Sequence, residues 1–320
     1  MNDNEGTRNF EPVQPEEKQS PKKVKSDPKK KISIAIFTVV IAIVLLFCAI
    51  IVTKIVYEIN GPSDEEGKET PDSIEFLTIQ KSTADINKGL LLSIVSSDGV
   101  ISTPSLHSII PSVAGDPYYM GTSGLPKDKL TPEAGAALAE MAKALYEAKS
   151  VRFIVAYAYH NNPADDYDAE HVLGTVVDLK QMTNESEMEY GPFTSSILKW
   201  LNEHCAEYGF INSFPNDTDS SFEHDKGASA RSIQFRYVGV AHATYIMKNG
   251  LTFSEYLTKI KDYTPEKPLS VTANGDSYAI YYVKSTGDTT EVKVPDNYAY
   301  EISGNNKDGF IITVKLSEKE

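Results

Sequence analysis

The sequence predicts an α+β domain that follows one N-terminal transmembrane helix and ends in a small antiparallel β module. The residues from 32 to 53 form an apolar run without a charged side chain. Beyond it, helical and strand patterns alternate, with two strands between helices, which suits an α+β domain better than a doubly wound sheet. From Pro268 onward, short β-like runs alternate with turn residues. We therefore divide the chain into a disordered cytoplasmic tail (1–31), a transmembrane helix (32–53), a linker (54–73), the α+β domain (74–265) and the β module (266–320).

The apolar run is long enough to cross a membrane. At ~1.5 Å per residue, it matches a hydrocarbon core of roughly 30 Å. A buried core helix would be more amphipathic. A cleaved signal peptide would have a shorter run followed by a small-residue cleavage site, which is missing after Thr53. We expect a membrane-spanning helix.

The distribution of lysine predicts the orientation of this helix. Lysines are abundant just before the run, whereas Lys54 is followed by the acidic run Asp64-Glu65-Glu66. This asymmetry predicts a cytoplasmic N-terminus. We expect a single-pass protein of the plasma membrane with its C-terminal domain outside the cell.

Charge and cysteine content exclude some classes of function. The chain has a net charge of −14, and residues 1–31 carry 8 basic and 6 acidic residues, so the remainder has a net charge of −16. An acidic exterior argues against a nucleic-acid partner. Cys48 lies in the predicted span and Cys205 in the ectodomain, so they cannot form a disulfide within one chain. Cys205 is predicted to be buried.

Periodicity and capping residues predict the elements of the α+β domain. Leu90–Val95 is predicted to be a strand, and Thr131-Pro132-Glu133 begins a helix that runs to about Ala148. Two core strands are predicted at 152–157 and 171–179. Further helices are predicted at 193–208, at 238–248 and from Leu251 onward. In the β module, turn residues such as Asn274-Gly275 separate the predicted strands.

Two short segments resemble one enzyme family. The first is Glu170-His171-Val172-Leu173-Gly174-Thr175-Val176-Val177-Asp178-Leu179, and the second is Phe235-Arg236-Tyr237-Val238-Gly239. They resemble the two active-site motifs of VanY-like D-alanyl-D-alanine carboxypeptidases, Ser-x-His-x-x-Gly-x-Ala-x-Asp and Glu-Pro-Trp-His-Phe-Arg-Tyr-Val-Gly. The resemblance covers roughly residues 80–260. It implies the fold of a zinc peptidase that trims peptidoglycan stem peptides.

The resemblance also implies site residues. His171 and Asp178 match two zinc ligands, while Gln234 stands at the third-ligand position. Arg231 stands at the position of the catalytic glutamate, so no catalytic residue is intact. Tyr157 and Arg236 match substrate-binding positions.

These replacements oppose zinc peptidase chemistry. A neutral amide such as that of Gln234 binds zinc far more weakly than imidazole. The Arg231 guanidinium cannot accept a proton, and its charge opposes a nearby dication. Elsewhere, Ala158 takes the place of the arginine that holds the substrate carboxylate. Ala169 replaces the serine of the first motif, and Ser213 replaces a further arginine.

Other histidines offer only weak substitutes for the missing ligand. His224, between Glu223 and Asp225, lies either in a solvated acidic loop or at a relocated ligand position. We expect His242 to be a surface or packed residue, and His160 and His204 to be ordinary loop or helix-end residues. His107 is too far upstream to be placed. His171 and Asp178 are either a residual metal site or a polar pair in an inactive cleft.

Three functions fit these patterns. The favoured one is an inactive or weakly active pseudo-peptidase that binds or regulates at the cell wall, with a peptidoglycan stem peptide as its partner. The first alternative is a working zinc D,D-carboxypeptidase with a relocated ligand such as His224. The second is a module that binds an envelope protein through its acidic face or its tyrosine-rich β module.

Overall fold

The computed structural model describes residues 74–93, 105–109, 119–121, 129–159, 169–184, 189–214 and 233–319. The predicted tail, transmembrane helix and linker lie outside these residues. Within the described ranges, no helix is long and apolar enough to cross a membrane.

The predicted helices are present, with shorter bounds at several ends. The α-helices of the described residues are α1 (Pro132–Lys149), α2 (Ser195–His204), α3 (Val240–Lys248) and α4 (Phe253–Lys259). Short 3₁₀ turns are formed by Thr83–Asn87, Ala169–Leu173, Cys205–Tyr208 and Ile260–Asp262. The Thr131 hydroxyl caps α1 by accepting a hydrogen bond from the Ala134 amide at 3.4 Å, and Pro132 occupies the first turn.

A mixed sheet forms the centre of the α+β region. Its strands are β3 (Tyr119–Gly121), β5 (Phe153–Tyr157), β6 (Val176–Asn184), β7 (Glu189–Gly191), β8 (Phe210–Asn212) and β9 (Ile233–Tyr237). The order is β3-β5-β6-β9-β8, and β7 also pairs with β6. Only the β3–β5 pair is parallel among these described pairings. A separate pair consists of β2 (His107–Ser108) and β4 (Lys129–Leu130).

The two faces of this sheet differ in chemistry. Val177, Leu179 and Phe235 belong to an apolar cluster that also contains buried residues of α1 and α2. Successive side chains of a strand point to opposite faces, so Asp178 and Gln234 lie on the other face. One face therefore forms the core, and the other carries polar residues.

Two strand predictions for this region need correction, and two strands were missed. Residues 171–179 do not form one strand, because a 3₁₀ turn ends at Leu173 and β6 begins at Val176. Leu90–Ser93 is buried or half-buried coil rather than strand; the Leu91 amide donates to the Ser303 hydroxyl at 2.7 Å instead of joining a ladder. Strands β8 and β9 were not predicted.

Gly209 connects α2 to β8. It adopts φ +76°, and a Cβ at this position would lie 2.7 Å from the Tyr237 ring and 3.1 Å from the Gly239 backbone. Only glycine combines this backbone conformation with such close contact. The Tyr208-Gly209-Phe210 and Phe235–Gly239 segments are therefore packed against each other.

The C-terminal strands form the predicted antiparallel module. They are β10 (Leu269–Ala273), β11 (Asp276–Lys284), β12 (Thr289–Pro295), β13 (Tyr298–Gly304) and β14 (Gly309–Lys319). Four of them form a sheet of order β10-β11-β14-β13. β10 and β11 are joined at Asn274-Gly275, as the sequence predicts.

The C-terminal strands contact earlier segments of the ectodomain. β1 (Phe76–Ser82) pairs along its whole length with β12, while the predicted domain boundary between 265 and 266 stays a prediction. Residues of β10 and β11 share an apolar cluster with residues of α3 and α4. The module is therefore an integral layer of the fold.

Candidate functional site

A short turn positions the first motif. The 3₁₀ turn Ala169–Leu173 is followed by Gly174, whose φ of +65° redirects the chain into β6. The Gly174 carbonyl accepts a hydrogen bond from the Thr131 amide at 2.8 Å, which fixes the turn against the start of α1. His171 and Asp178 then lie on either side of a rigid corner.

The corner brings His171 and Asp178 together inside the protein. Their side chains are 0% and 1% exposed, and His171 Nε2 lies 3.4 Å from Asp178 Oδ1. The Tyr157 ring stands edge-on to the His171 ring, with 4.8 Å between centroids. Tyr157 is also the cross-strand neighbour of Asp178. The three residues therefore form one cluster, which we call the His171 cluster.

Gln234 completes this cluster from the neighbouring strand. β6 and β9 are antiparallel, and Asp178 lies directly opposite Gln234. Residues directly opposite in such a pair share a face of the sheet. Gln234 is 6% exposed, and its Oε1 has no hydrogen-bond partner among the described residues. The position that the resemblance assigns to a third ligand is thus adjacent to Asp178, but an amide occupies it.

Arg236 is enclosed by protein groups. It is 1% exposed, its Nη1 donates to Glu170 Oε1 at 3.0 Å, and its Nη2 donates to the Leu92 carbonyl. Its guanidinium also lies over the Phe253 ring, 3.8 Å from the centroid. Glu170 directly precedes His171, so Arg236 holds the turn that carries His171. The substrate-binding role of Arg236 stays a prediction.

Lys180 is a second buried cation on the polar face that sequence reasoning missed. It follows Asp178 by two residues on β6, and its Nζ lies 5.3 Å from the Tyr190 ring centroid. Burial lowers the pKa of Lys180, while the charge of Asp178 acts in the opposite direction. The alternation of side chains along β6 could have indicated this position. Lys180 is two residues after Asp178, so both side chains lie on the same face of the sheet.

Other predicted site positions do not join the cluster. Ala158 is fully buried in the apolar core beside α1 and α2. Its assignment as the place of a carboxylate-binding arginine stays a prediction. Ser213 is half-buried in the coil after β8. Arg231, His224 and His160 lie outside the described residues.

The remaining histidines have structural surroundings. His242 is packed, as predicted: its Nδ1 lies 2.5 Å from the Tyr256 hydroxyl and its Nε2 lies 2.9 Å from the Thr313 hydroxyl. Burial lowers the pKa of His242 to about 3. His204, at the end of α2, contacts Glu207 at 2.8 Å and stacks on Trp200. His107 lies in β2.

Cys205 is also packed, as predicted. It is fully buried and free, and burial raises the pKa of its thiol to about 12. Such a thiol is inert as a nucleophile at neutral pH.

The His171 cluster does not fit a catalytic zinc ion. Catalytic zinc sites use three protein ligands such as imidazole, carboxylate or thiolate. Here His171 and Asp178 supply two, and the adjacent third position supplies the amide oxygen of Gln234. Within the described ranges, no group of three His, Cys, Asp or Glu residues is placed to hold a metal.

Comparison with known proteins agrees with the resemblance in the motifs. The sequence model of the family VanY: D-alanyl-D-alanine carboxypeptidase matches residues 142–240. This part of the chain is VanY-like. The matched residues include the His171 cluster and end just after Phe235–Gly239, so the two motifs that carry the resemblance fall within the VanY-like region.

Two curated relatives carry the same description. A D-alanyl-D-alanine carboxypeptidase of Enterococcus faecium is 36% identical over 146 residues, 46% of this chain and 44% of the relative. One of Enterococcus faecalis is 32% identical over 93 residues, 29% of this chain and 31% of the relative. The chain therefore spans less than half the length of the curated relatives it matches.

A solved structure supports the fold. The vancomycin-resistance D,D-dipeptidase VanXYg, in complex with a D-Ala-D-Ala phosphinate analogue, aligns with a TM-score of 0.57 and 21% identity over 75% of this chain and 99% of that chain. The two chains thus share a mixed helix-and-sheet fold. A D,D-pentapeptidase VanY in complex with Zn(II) aligns with a TM-score of 0.35 and 20% identity over 54% of this chain and 99% of that chain.

Proposed function

We propose that this protein is a pseudo-peptidase that binds peptidoglycan stem peptides at the outer face of the plasma membrane without hydrolysing them. The single observation that carries the proposal is the register of β6 and β9, which places Gln234 directly opposite Asp178. The structure of VanXYg, which shares the fold, contains a D-Ala-D-Ala phosphinate analogue, and this supports recognition of stem peptides. The third-ligand position of this chain holds a weak zinc ligand. Arg231 at the base position removes the group that would accept a proton from water.

The anchoring part of the proposal rests on the sequence. The apolar run at 32–53 and the lysines before it support a single-pass helix with the ectodomain outside. Protease added to intact protoplasts should digest the ectodomain. Full protection would contradict this topology.

Zinc content and product release test the catalytic part. Wild-type protein dialysed against a chelator should retain far less than one zinc ion per chain, and it should release no more D-alanine from a pentapeptide stem than a protein-free control. An active VanY enzyme treated in parallel shows that the assay works. Stoichiometric zinc would overturn the proposal and favour a relocated ligand. His224→Ala should then remove the metal.

Sedimentation with purified peptidoglycan tests the binding part. The full chain should co-sediment with sacculi whose stem peptides end in D-Ala-D-Ala, and less with sacculi pretreated with a D,D-carboxypeptidase. Tyr157→Ala should weaken binding because Tyr157 packs on His171. Tyr190→Ala on β7 is a matched control, since Tyr190 is exposed and outside the His171 cluster. Equal sedimentation with both kinds of sacculi would indicate an envelope-protein partner or another ligand instead.

A further inference from the structure

A large cavity lies beside the first turn of α3. Its volume is about 770 Å³, which is within the range of about 300–1,000 Å³ that is usual for small-ligand sites. The four consecutive residues Gly239–His242 all line it. The described lining residues do not include His171, Asp178 or Gln234, so the cavity is separate from the His171 cluster.

The first turn of α3 presents uncapped backbone amides at this cavity. The first hydrogen bond of the helix runs from the Ala243 amide to the Gly239 carbonyl at 2.9 Å, so the amides at positions 240–242 precede it. No side chain among the described residues caps this end of the helix. Because the amides of a first turn carry partial positive charge, an uncapped helix end favours an anion.

A buried hydroxyl is a second, independent indication of a ligand. Thr175 lines the cavity and is 4% exposed, and its hydroxyl has no hydrogen-bond partner among the described residues. A buried polar group in that state is costly unless a ligand or water satisfies it.

Strand pairing places this hydroxyl near the helix end. The Thr175 carbonyl accepts a hydrogen bond from the Tyr237 amide at 2.8 Å, and α3 begins three residues after Tyr237. Three residues of extended chain span at most about 11 Å. One small ligand can therefore contact both the hydroxyl and the amides.

An aliphatic wall adjoins the helix end. Leu90, Leu92 and Leu173 line the cavity, and Leu90 Cδ2 lies 3.5 Å from the position that a Cβ on Gly239 would occupy. Such a wall favours the apolar body of a ligand. Since the cavity is also much larger than one inorganic ion, it suits an anionic group that is attached to an apolar body.

The charged side chains of the cavity balance one another. Lys88, Lys315, Glu133 and Glu301 line it, so each sign is present twice. Lys88 and both glutamates are exposed, where salt screens their charges, and Lys315 already contacts Asp276 at 3.2 Å. The selective contacts are therefore those of the helix end and the buried hydroxyl.

Phosphate fits these contacts better than carboxylate. Carboxylates are typically bound by the two-pronged guanidinium of arginine, and no arginine is among the described residues that line the cavity. Helix N-termini bind phosphate through backbone amides, and a threonine hydroxyl can donate to the same group.

We propose that this cavity binds a phosphate monoester with an apolar body. The phosphate accepts hydrogen bonds from the first turn of α3 and from the Thr175 hydroxyl, and the body lies along Leu90, Leu92 and Leu173. The inference goes beyond the proposed function and does not depend on it, because the His171 cluster consists of other residues.

Calorimetry with three matched probes tests the proposal. The full chain, in maltoside micelles and a phosphate-free buffer, is titrated with phenyl phosphate, benzoate and phenol. Phenyl phosphate should bind at least about tenfold more tightly than the other two, because hydrogen bonds to a charged group are the stronger ones. No binding of phenyl phosphate at millimolar concentration, or affinity equal to that of phenol or of benzoate, would overturn the proposal.

Removing the hydroxyl connects the result to the cavity. Thr175→Val keeps the shape of the side chain and should weaken phenyl phosphate binding about tenfold while leaving phenol binding unchanged. Thr272→Val is the matched control, because Thr272 is exposed on β10 and does not line the cavity. Thermal unfolding verifies that each variant is folded. Unchanged phenyl phosphate binding in folded Thr175→Val would contradict the proposal.

A proline substitution tests the helix end. Val240→Pro removes one amide of the first turn, and proline is well tolerated at the first helical position. The ψ of 152° at Gly239 is also compatible with a following proline. The difference in affinity between phenyl phosphate and phenol should shrink severalfold. Ser195→Pro, at the same position of α2, should leave that difference intact; an equal effect of both prolines, or of neither, would refute the role of α3.

Discussion

The ectodomain contains two buried histidines whose surroundings differ in one respect. His171 lies beside a carboxylate, with its Nε2 3.4 Å from Asp178 Oδ1. His242 lies between two hydroxyls, those of Tyr256 and Thr313. A carboxylate beside an imidazole is the beginning of a metal or acid–base site. Two hydroxyls satisfy a neutral imidazole and nothing more.

The difference shows how a candidate site can be told from a purely structural contact in the same fold. The His171 cluster lies on the polar face of the central sheet, and Gln234 occupies its third-ligand position. The contact of His242 joins α3 to α4 and to β14, so it connects these two helices to the C-terminal sheet. Burial alone does not distinguish these roles; the chemical type of the partners does.

The largest expected effect comes from restoring the missing ligand. Gln234→His with Arg231→Glu places an imidazole opposite Asp178 and returns a carboxylate to the base position. Because Asp178 and position 234 are cross-strand neighbours, we expect the double variant to bind about one zinc ion per chain, measured by mass spectrometry of metals after dialysis. Adding His171→Ala should abolish that binding.

Activity is a weaker measure of this restoration. The groups that orient metal ligands are also altered here, which reduces catalysis even when metal is bound. A folded double variant without zinc would show that His171 and Asp178 do not converge with position 234. His171 and His242 would then both be structural residues, and the contrast between them would disappear.

The second largest effect is expected from breaking the ion pair between Arg236 and Glu170, which supports the turn that carries His171. Glu170→Gln removes the anionic partner of Arg236, whose guanidinium is buried. Breaking a buried ion pair by removing one partner typically costs about 3 kcal/mol or more of unfolding free energy; because Glu170 is partly exposed, we expect about 2–3 kcal/mol. Urea unfolding measures the loss. Glu203→Gln, in an exposed pair with Lys199, should change stability by less than about 0.5 kcal/mol.

The pH dependence of stability tests His242. Its pKa is about 3 in the folded protein and about 6.5 when unfolded. Above pH 6.5 both states are neutral at this residue and stability is unaffected. As pH falls below 6.5, only the unfolded state gains the proton, so the folded state loses about 1.4 kcal/mol per pH unit until about pH 3.

His242→Gln retains hydrogen-bonding groups and removes the titration. Between pH 6.5 and 5, the variant should lose about 2 kcal/mol less unfolding free energy than wild type. That window avoids the carboxylates with lowered pKa, such as Asp308, which titrate at lower pH. Identical slopes for variant and wild type would mean that His242 is protonated in the folded protein.

Much of the fold follows from local patterns. Capping residues and apolar periodicity predict the helices, and Asn274-Gly275 predicts the hairpin between β10 and β11. The short β8 and β9 were missed because three to five residues carry too little periodicity. The strand predicted at 171–179 failed because Gly174 and the Glu170–Arg236 pair impose a turn, and that pair joins residues 66 positions apart.

For the site, the sequence by itself determined which residue types are present. It shows an amide at 234 and an arginine at 231, on which the proposed loss of zinc chemistry rests. The resemblance to the family motif also predicted that His171 and Asp178 belong together. These properties are chemical, so they do not depend on packing.

Only the tertiary structure decided how those residues meet. Strand pairing places Gln234 opposite Asp178. Packing buries Arg236 against the carboxylate of Glu170, in the turn that carries His171. Packing also buries Ala158 in the apolar core. Strand pairing also joins β1 to β12. Such contacts depend on register and on segments far apart in the chain, because a shift of one residue in a strand reverses every side chain on it.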